Sequence, residues 1–257
     1  MIFYQPGNSR GNFNYNAYIY TDTDYAHHFH QNMELIVPLE GEIRVTVEGK
    51  ECLLQSGQMV LVLSNQIHSF HIPPDAKAWV AVFSEEFVPR FTARLKGKRG
   101  KTSCFSPDKA VCALLTEQMI FADCSVMMKK ACFYGVCDAY LNEIPLEGRP
   151  SKSSFVAGQI LDWIAEHYTQ DISLKQAAAA FGYEYHYLSR LLSRQYRISF
   201  VDLVNNHRVE HAMQLLESTN LPVTEIMLQS GFQSIRSFNM VFRNLTGKTP
   251  SEYRLSD

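Results

Sequence analysis

The sequence predicts an α+β chain of more than one domain: an N-terminal antiparallel β-domain backed by a helical pair, then an all-α domain with two helix-turn-helix units. Three observations point there. Apolar and polar residues alternate with period two from about Tyr15 to Phe83, with turn residues at short intervals. Helical periodicity takes over from Asp108. The last third then writes one unit twice: a short helix, a Gly-aromatic corner, and a second helix with a polar outer face. A length of 257 residues exceeds the usual single domain, and 46% hydrophobic residues suffice for real cores.

The strands come first. Residues 34–39, 42–48, 51–54, 58–63 and 79–83 read as strands, with Glu40-Gly41, Glu48-Gly49-Lys50 and Ser56-Gly57 as corners. Many short strands without intervening helices imply an antiparallel sandwich or barrel. The basic run 94–101 reads as a solvated connector. Two helices follow, 108–121 and 125–142. Val111, Leu114, Leu115, Gln118 and Met119 share one stripe; Met128, Ala131, Cys132 and the stretch 134–141 supply another. Such a pair either covers an open face of the barrel or packs against the same helices of a second subunit. The Gly-, Pro- and Ser-rich stretch 146–154 reads as a linker. The expected organisation is 1–105, β-domain; 106–145, helical dimerisation segment; 146–154, linker; 155–257, helical domain.

Bulk properties bound the function. No N-terminal apolar run suggests a signal peptide, and 59–63 is too short to span a bilayer, so no membrane partner is expected. Six cysteines form no C-x-x-C pair or zinc-finger spacing and read as reduced, mostly buried thiols of a cytoplasmic protein. The net charge of −2 is unusual for a nucleic-acid binder, and residues 155–257 carry nine Lys and Arg against ten Asp and Glu. Local charge says more. Arg190, Arg194 and Arg197 cluster on or after one candidate recognition helix, and Arg236, Arg243 and Lys248 on or after the other.

In the repeated unit, Leu188, Leu191 and Leu192 take the places of Phe238, Val241 and Phe242, each at i, i+3, i+4, so one stripe packs inward. The outer face carries His186, Ser189, Arg190 and Ser193 in the first copy and Arg236, Ser237, Asn239 and Arg243 in the second. These types suit a DNA groove: Arg pairs with guanine, Asn with adenine, and hydroxyls with phosphate or base edges. Residues 200–217 form one long connecting helix. A rigid connector lets both recognition helices enter successive major-groove segments about 34 Å apart.

The run Arg208-x3-Ala212-x2-Leu215-Leu216, then Ile226-x4-Gly231-Phe232-x5-Phe238-x3-Phe242-x4-Gly247-x2-Pro250-x2-Tyr253-Arg254, resembles the signature of the AraC/XylS family of bacterial transcriptional regulators. The resemblance implies a seven-helix DNA-binding domain. It places base contacts at His186, Ser189 and Arg190 and at Ile235, Arg236, Asn239 and Met240, with Ser193, Arg194, Ser237 and Arg243 beside them. It implies double-stranded DNA, a sugar or other small metabolite and a second copy of the chain as partners, with RNA polymerase a further candidate. Two positions depart from the pattern. Arg197 stands where the first unit usually ends its helix with Gly, and Met240 where many relatives carry a polar or basic residue.

Near the N-terminus, His28-Phe-His30-x3-Glu34-x6-Gly41 resembles the first cupin motif, and Gly57 followed by His68 resembles part of the second. This implies a small jelly-roll, which is also the common sensor of the AraC family. In metal cupins such a set surrounds a divalent ion, but AraC-type sensors often keep H-x-H-x3-E without one. The expectation is therefore a pocket in which His28, His30, Glu34, His68 and Trp79 meet an effector, with no metal, no cofactor and no catalysis. Two alternatives stay open: a metal-dependent cupin enzyme with an ancillary DNA-binding domain, and a ligand-independent regulator whose barrel is a dimerisation scaffold.

Overall fold

The computed structural model describes residues 3–5, 15–95, 98–120, 124–148 and 152–255. They fall into two compact units, Met1–Lys152 and Ser153–Asp257. The first runs β1 (Phe3–Tyr4), β2 (Tyr15–Tyr20), β3 (Thr23–Phe29), β4 (Met33–Glu40), β5 (Ile43–Val47), β6 (Lys50–Leu54), β7 (Met59–Val62), β8 (His68–Ile72) and β9 (Lys77–Phe83). Then come α1 (Pro89–Leu95), β10 (Arg99–Gly100), β11 (Cys104–Phe105), α2 (Lys109–Leu115), α3 (Val126–Glu143) and β12 (Leu146–Glu147). A π-helical turn over Thr116–Ile120 continues α2.

Two five-stranded sheets form, in the orders β1-β3-β8-β5-β6 and β11-β7-β4-β9-β2. Pairing within them is antiparallel except between β1 and β3. Strand alternation gives the second sheet two apolar faces. Ile36, Val60, Val62, Ala78 and Val80 point to one core, with Val45, Phe70 and Ile72 of the first sheet. Leu35, Val37, Leu61, Trp79 and Phe83 point the other way, into a core closed by Phe91 of α1 and by Phe133, Val136 and Tyr140 of α3. Phe133 stacks on Phe83 at 3.8 Å between ring centroids. The helices thus cover the outer face of a sheet. Sheets buried on both faces lose polar alternation, which is why residues 35–37 read as a continuous apolar run.

Several expectations need correction. The basic run 94–101 is not one connector: Arg94 and Leu95 form the end of α1, and Arg99-Gly100 pairs with Glu147-Leu146 while Arg99 holds Glu48 at 3.1 Å. Lys96 and Gly97 of that run lie outside the described residues. The same pairing takes Leu146 and Glu147 out of the expected linker, and residues 152–154 already belong to a helix; residues 149–151 lie outside the described residues. Phe121, the expected end of the first helix, also lies outside them. Ala131 is exposed, because α3 buries Cys132, Phe133, Val136, Cys137 and Tyr140 instead. Among the cysteines only Cys132 and Cys137 are buried, the other four being half-exposed.

The second unit is all helical: α4 (Lys152–His167), α5 (Leu174–Phe181), α6 (Tyr185–Tyr196), α7 (Phe200–Ser218), α8 (Val223–Gln229), α9 (Ile235–Thr246) and α10 (Pro250–Arg254). Ser173, Ser199, Ser234 and Thr249 cap the N-termini of α5, α7, α9 and α10 with side-chain oxygens. Phe232, Phe238 and Phe242 pack with Val209, Ala212 and Leu216 of α7, each buried ring contributing roughly 2–3 kcal/mol. Arg208 of α7 donates to the carbonyls of Tyr168 and Gln170, both at 2.8 Å, and lies over the Phe232 ring. Gly231 (φ 88°) closes the second corner against the same turn. A Cβ there would sit 2.7 Å from Thr169 Cα and 2.8 Å from the Tyr168 carbonyl oxygen.

Candidate functional site

The β-domain gathers four ionisable side chains at one point. His28 and His68 are directly paired across β3 and β8, Glu34 lies on β4, and His30 sits just past the end of β3. All four are buried, from 0% to 2% exposed, a burial that ionisable groups tolerate only in company. A register shift between Tyr25 and His28 matters here. Unbroken alternation would send residues 25 and 28 to opposite faces; the bulge turns Tyr25 and His28 together toward the interior. Their rings lie 4.6 Å apart.

The contacts are short. His30 Nε2 lies 3.1 Å and His68 Nε2 3.5 Å from Glu34 Oε2. The ring of His68 is 4.0 Å from that of His28 and 5.0 Å from that of His30. Burial, reinforced by His68, pushes His28 down to about 3, and burial likewise lowers His30. Burial alone would raise the Glu34 carboxyl, but His68 and His30 hold it below the usual carboxylate range. A cavity of about 120 Å³ borders His28 and Glu34 and is lined by Tyr20, Tyr25 and Phe70. Tyr25 stacks on Phe70 at 5.0 Å, and burial together with Tyr25 raises Tyr20 to about 12, so its phenol stays neutral.

Four of the five expected pocket residues therefore meet. Trp79 does not: its neighbours Ala78 and Val80 face the inner core, so alternation turns Trp79 outward with Ala81 and Phe83. Tyr20 and Tyr25 are not legible as pocket residues, because the bulge that aims Tyr25 leaves no mark in the hydrophobic pattern. A second cavity, about 570 Å³, lies on the outer side of this sheet, lined by Ile19, Val37, Leu39 and Met59 together with Leu115 and Ile120.

In the helical unit the repeated motif stands out. α9 begins 50 residues after α6, at Ile235 against Tyr185, and both helices are 12 residues long. Leu188, Leu191, Leu192 and Tyr196 face inward on α6, Phe238 and Phe242 on α9. His186, Arg190, Ser193 and Arg194 are exposed, Ser189 is half-buried, and Ile235, Arg236, Ser237, Asn239, Met240 and Arg243 are all exposed. Arg190 donates from Nε to the His186 carbonyl at 3.2 Å. Both helices end in a left-handed residue: Gly247 at φ 76° and, at the matching place, Arg197 at φ 54°.

A β-domain with a buried polar pocket, followed by two short helix pairs with outward polar faces, defines a class: a ligand-pocket domain joined to a double helix-turn-helix domain. Known proteins agree. The AraC-like ligand binding domain model matches residues 11–120, and a helix-turn-helix domain model matches residues 167–256. The chain belongs to the AraC family. The HTH-type transcriptional regulator YijO of Escherichia coli is 36% identical over 104 residues, 40% of this chain and 37% of that protein. An uncharacterized HTH-type transcriptional regulator of Staphylococcus aureus is 34% identical over 96 residues, 37% of this chain but only 13% of its own length. The chain thus spans well under two thirds of these relatives. Among solved structures, ToxT from Vibrio cholerae matches with a TM-score of 0.61 at 15% identity, over 95% of this chain and 98% of that one, which shows a shared fold. One ToxT structure holds an unsaturated fatty acid.

Proposed function

We propose that the chain is a sequence-specific DNA-binding transcriptional regulator whose N-terminal barrel receives a small-molecule effector. The observation that carries this reading is the pair of matched helices α6 and α9, each with an apolar face packed inward and an exposed face of Arg and Ser, joined by His186 on α6 and Asn239 on α9. An ordinary surface helix also turns polar residues outward; two copies at a fixed offset, each following a corner with a left-handed glycine, exceed that expectation. α7, 19 residues long and so about 28 Å, joins the two helix-turn-helix copies within the helical domain. Arg190 and Arg236 are assigned to guanine edges, Asn239 to adenine, and Met240 to a thymine methyl.

On this reading the chain works in the cytoplasm, as a dimer, and has no catalytic role. Among the described residues no helix is long and apolar enough to cross a membrane. The start of α3 leaves Val126 and Met127 exposed, the latter 75%, and offers a surface to a second copy. Effector binding shifts the population of arrangements in which both DNA domains of a dimer engage adjacent sites.

Competition binding tests the DNA assignment. A labelled fragment from the flanks of the chromosomal gene should resist excess non-specific duplex, with affinity falling steeply as salt rises. Binding that any duplex competes away equally would reject sequence-specific reading. For the effector, the cavity of about 570 Å³ supports a second location, because it is large enough for a drug-sized apolar ligand and the inner one is not. The two separate by substitution: Leu115→Trp should abolish an effector response seated outside the sheet, and His30→Ala one seated at the histidines.

A further inference from the structure

Two cysteines meet where the sheets of the β-domain come edge to edge. β6 stands last in one sheet and β11 at the end of the other, and among the described residues no ladder joins them. Cys52 is paired with Val45 and Cys104 with Val60. Residues directly opposite on neighbouring strands turn their side chains to the same face, and Val45 and Val60 both face the inner core. Cys52 and Cys104 therefore point inward from opposite sheets and pack against that core. Their thiols lie within hydrogen-bonding reach of each other. A contact independent of the thiols holds the same two edges: Lys50 Nζ donates to the Lys101 carbonyl at 2.8 Å.

The two thiols differ in access. A cavity of about 220 Å³ is lined by Cys52 together with Glu48, Lys50, Arg99, Lys101 and Glu147, and Cys104 is not part of that lining. Hydrogen peroxide has the size of about two waters, roughly 60 Å³, and fits. Burial and the neighbouring Cys52 thiol push the Cys104 thiol up to about 11, so it keeps its proton at neutral pH. A thiol reached through a cavity, with a second thiol beside it, is the arrangement in which an oxidised cysteine is captured by a resolving one.

From this geometry we infer that Cys52 and Cys104 form a reversible oxidation site, which closes to a disulfide when hydrogen peroxide enters the cavity beside Cys52. The Cys52 sulfur attacks one peroxide oxygen, the O–O bond breaks, and the departing hydroxide takes the thiol proton as water, leaving a sulfenic acid. The Cys104 sulfur then attacks the Cys52 sulfur. The S–O bond breaks, and the released hydroxide takes the Cys104 proton as a second water. Two thiols lose two electrons, and one peroxide gains them. Transient, redox-sensing disulfides are the kind a reducing cytoplasm permits, and exchange with a small thiol such as glutathione reopens the bond. The link ties two sheet edges that share no ladder, and it needs neither an effector nor DNA.

Hydrogen peroxide is the probe, added at about one equivalent to the reduced full-length chain, with the remaining thiols alkylated before digestion. Non-reducing peptide mass spectrometry should find Cys52 linked to Cys104 within one chain as the main disulfide, the other four thiols staying free to alkylate. Dithiothreitol should restore the pair. Cys104→Ser should lose the link and leave a sulfenic acid on Cys52 that dimedone traps, whereas Cys52→Ser should lose both link and label. Cys124→Ser should keep the link, because that thiol neighbours Cys132 instead. If a serine variant does not fold, the wild-type chain still decides. The absence of the Cys52–Cys104 peptide overturns the inference, as does a mixture of disulfides in which this pair does not predominate. Dimedone labelling that falls first on Cys104 overturns the assigned order of attack.

Discussion

Arg197 holds a conformation that its twin position gives to glycine. With φ 54° it ends α6 in the left-handed region, where a Cβ costs about 1 kcal/mol. Arg197→Gly should therefore raise the unfolding midpoint of the helical unit by a few degrees, part of the gain being offset by the freer unfolded chain. Gly247→Ala should lower it by a similar amount; scanning calorimetry of both variants checks the pair, and equal midpoints would show the cap strain to be negligible. Arg190 stands for the reading face. In the free protein its Nε donates to the His186 carbonyl, a bond that takes one of the five guanidinium N–H donors. Arg190→Ala should cost roughly 1–3 kcal/mol of specific binding and relax the preference at one base position. Fluorescence anisotropy against single-base operator variants measures both effects.

Among the elements, the second corner carries the most structural weight. Gly231 combines a positive φ with backbone contacts at Thr169 and Tyr168 that cannot give way, and Arg208 braces the same turn from α7. Gly231→Ala should destabilise the helical unit by about 2 kcal/mol or more, read by denaturant unfolding; a wild-type midpoint would contradict the close approach. The helical repeat is legible in the sequence because inward stripes and corner residues recur at fixed spacing. So is the gathering of His28, His30 and Glu34, from H-x-H alternation and the carboxylate that follows. The reach of β-structure beyond the alternating region is not. Arg99-Gly100, Cys104-Phe105 and Leu146-Glu147 form two-residue strands, too short for any periodicity. Trp79 escapes sequence reasoning for a related reason: on a strand buried on both faces, apolarity does not say which face a side chain takes.

For the molecule as a whole, two chemistries sit in separate units: a buried histidine–carboxylate pocket and an exposed arginine-bearing pair of helices. An effector bound only to the folded β-domain should stabilise it by about 2.7 kcal/mol at a hundredfold excess over Kd, visible as a thermal shift that His30→Ala removes if the inner pocket is the site. The regulator reading itself rests on α6 and α9 reading one duplex together. Selection of bound sequences from a random duplex library by the full-length chain tests this. Two short conserved blocks should emerge, their centres about 10–10.5 base pairs apart, with one block fading in Arg190→Ala and the other in Arg236→Ala. No enriched sequence, or a motif unchanged in both variants, would contradict it.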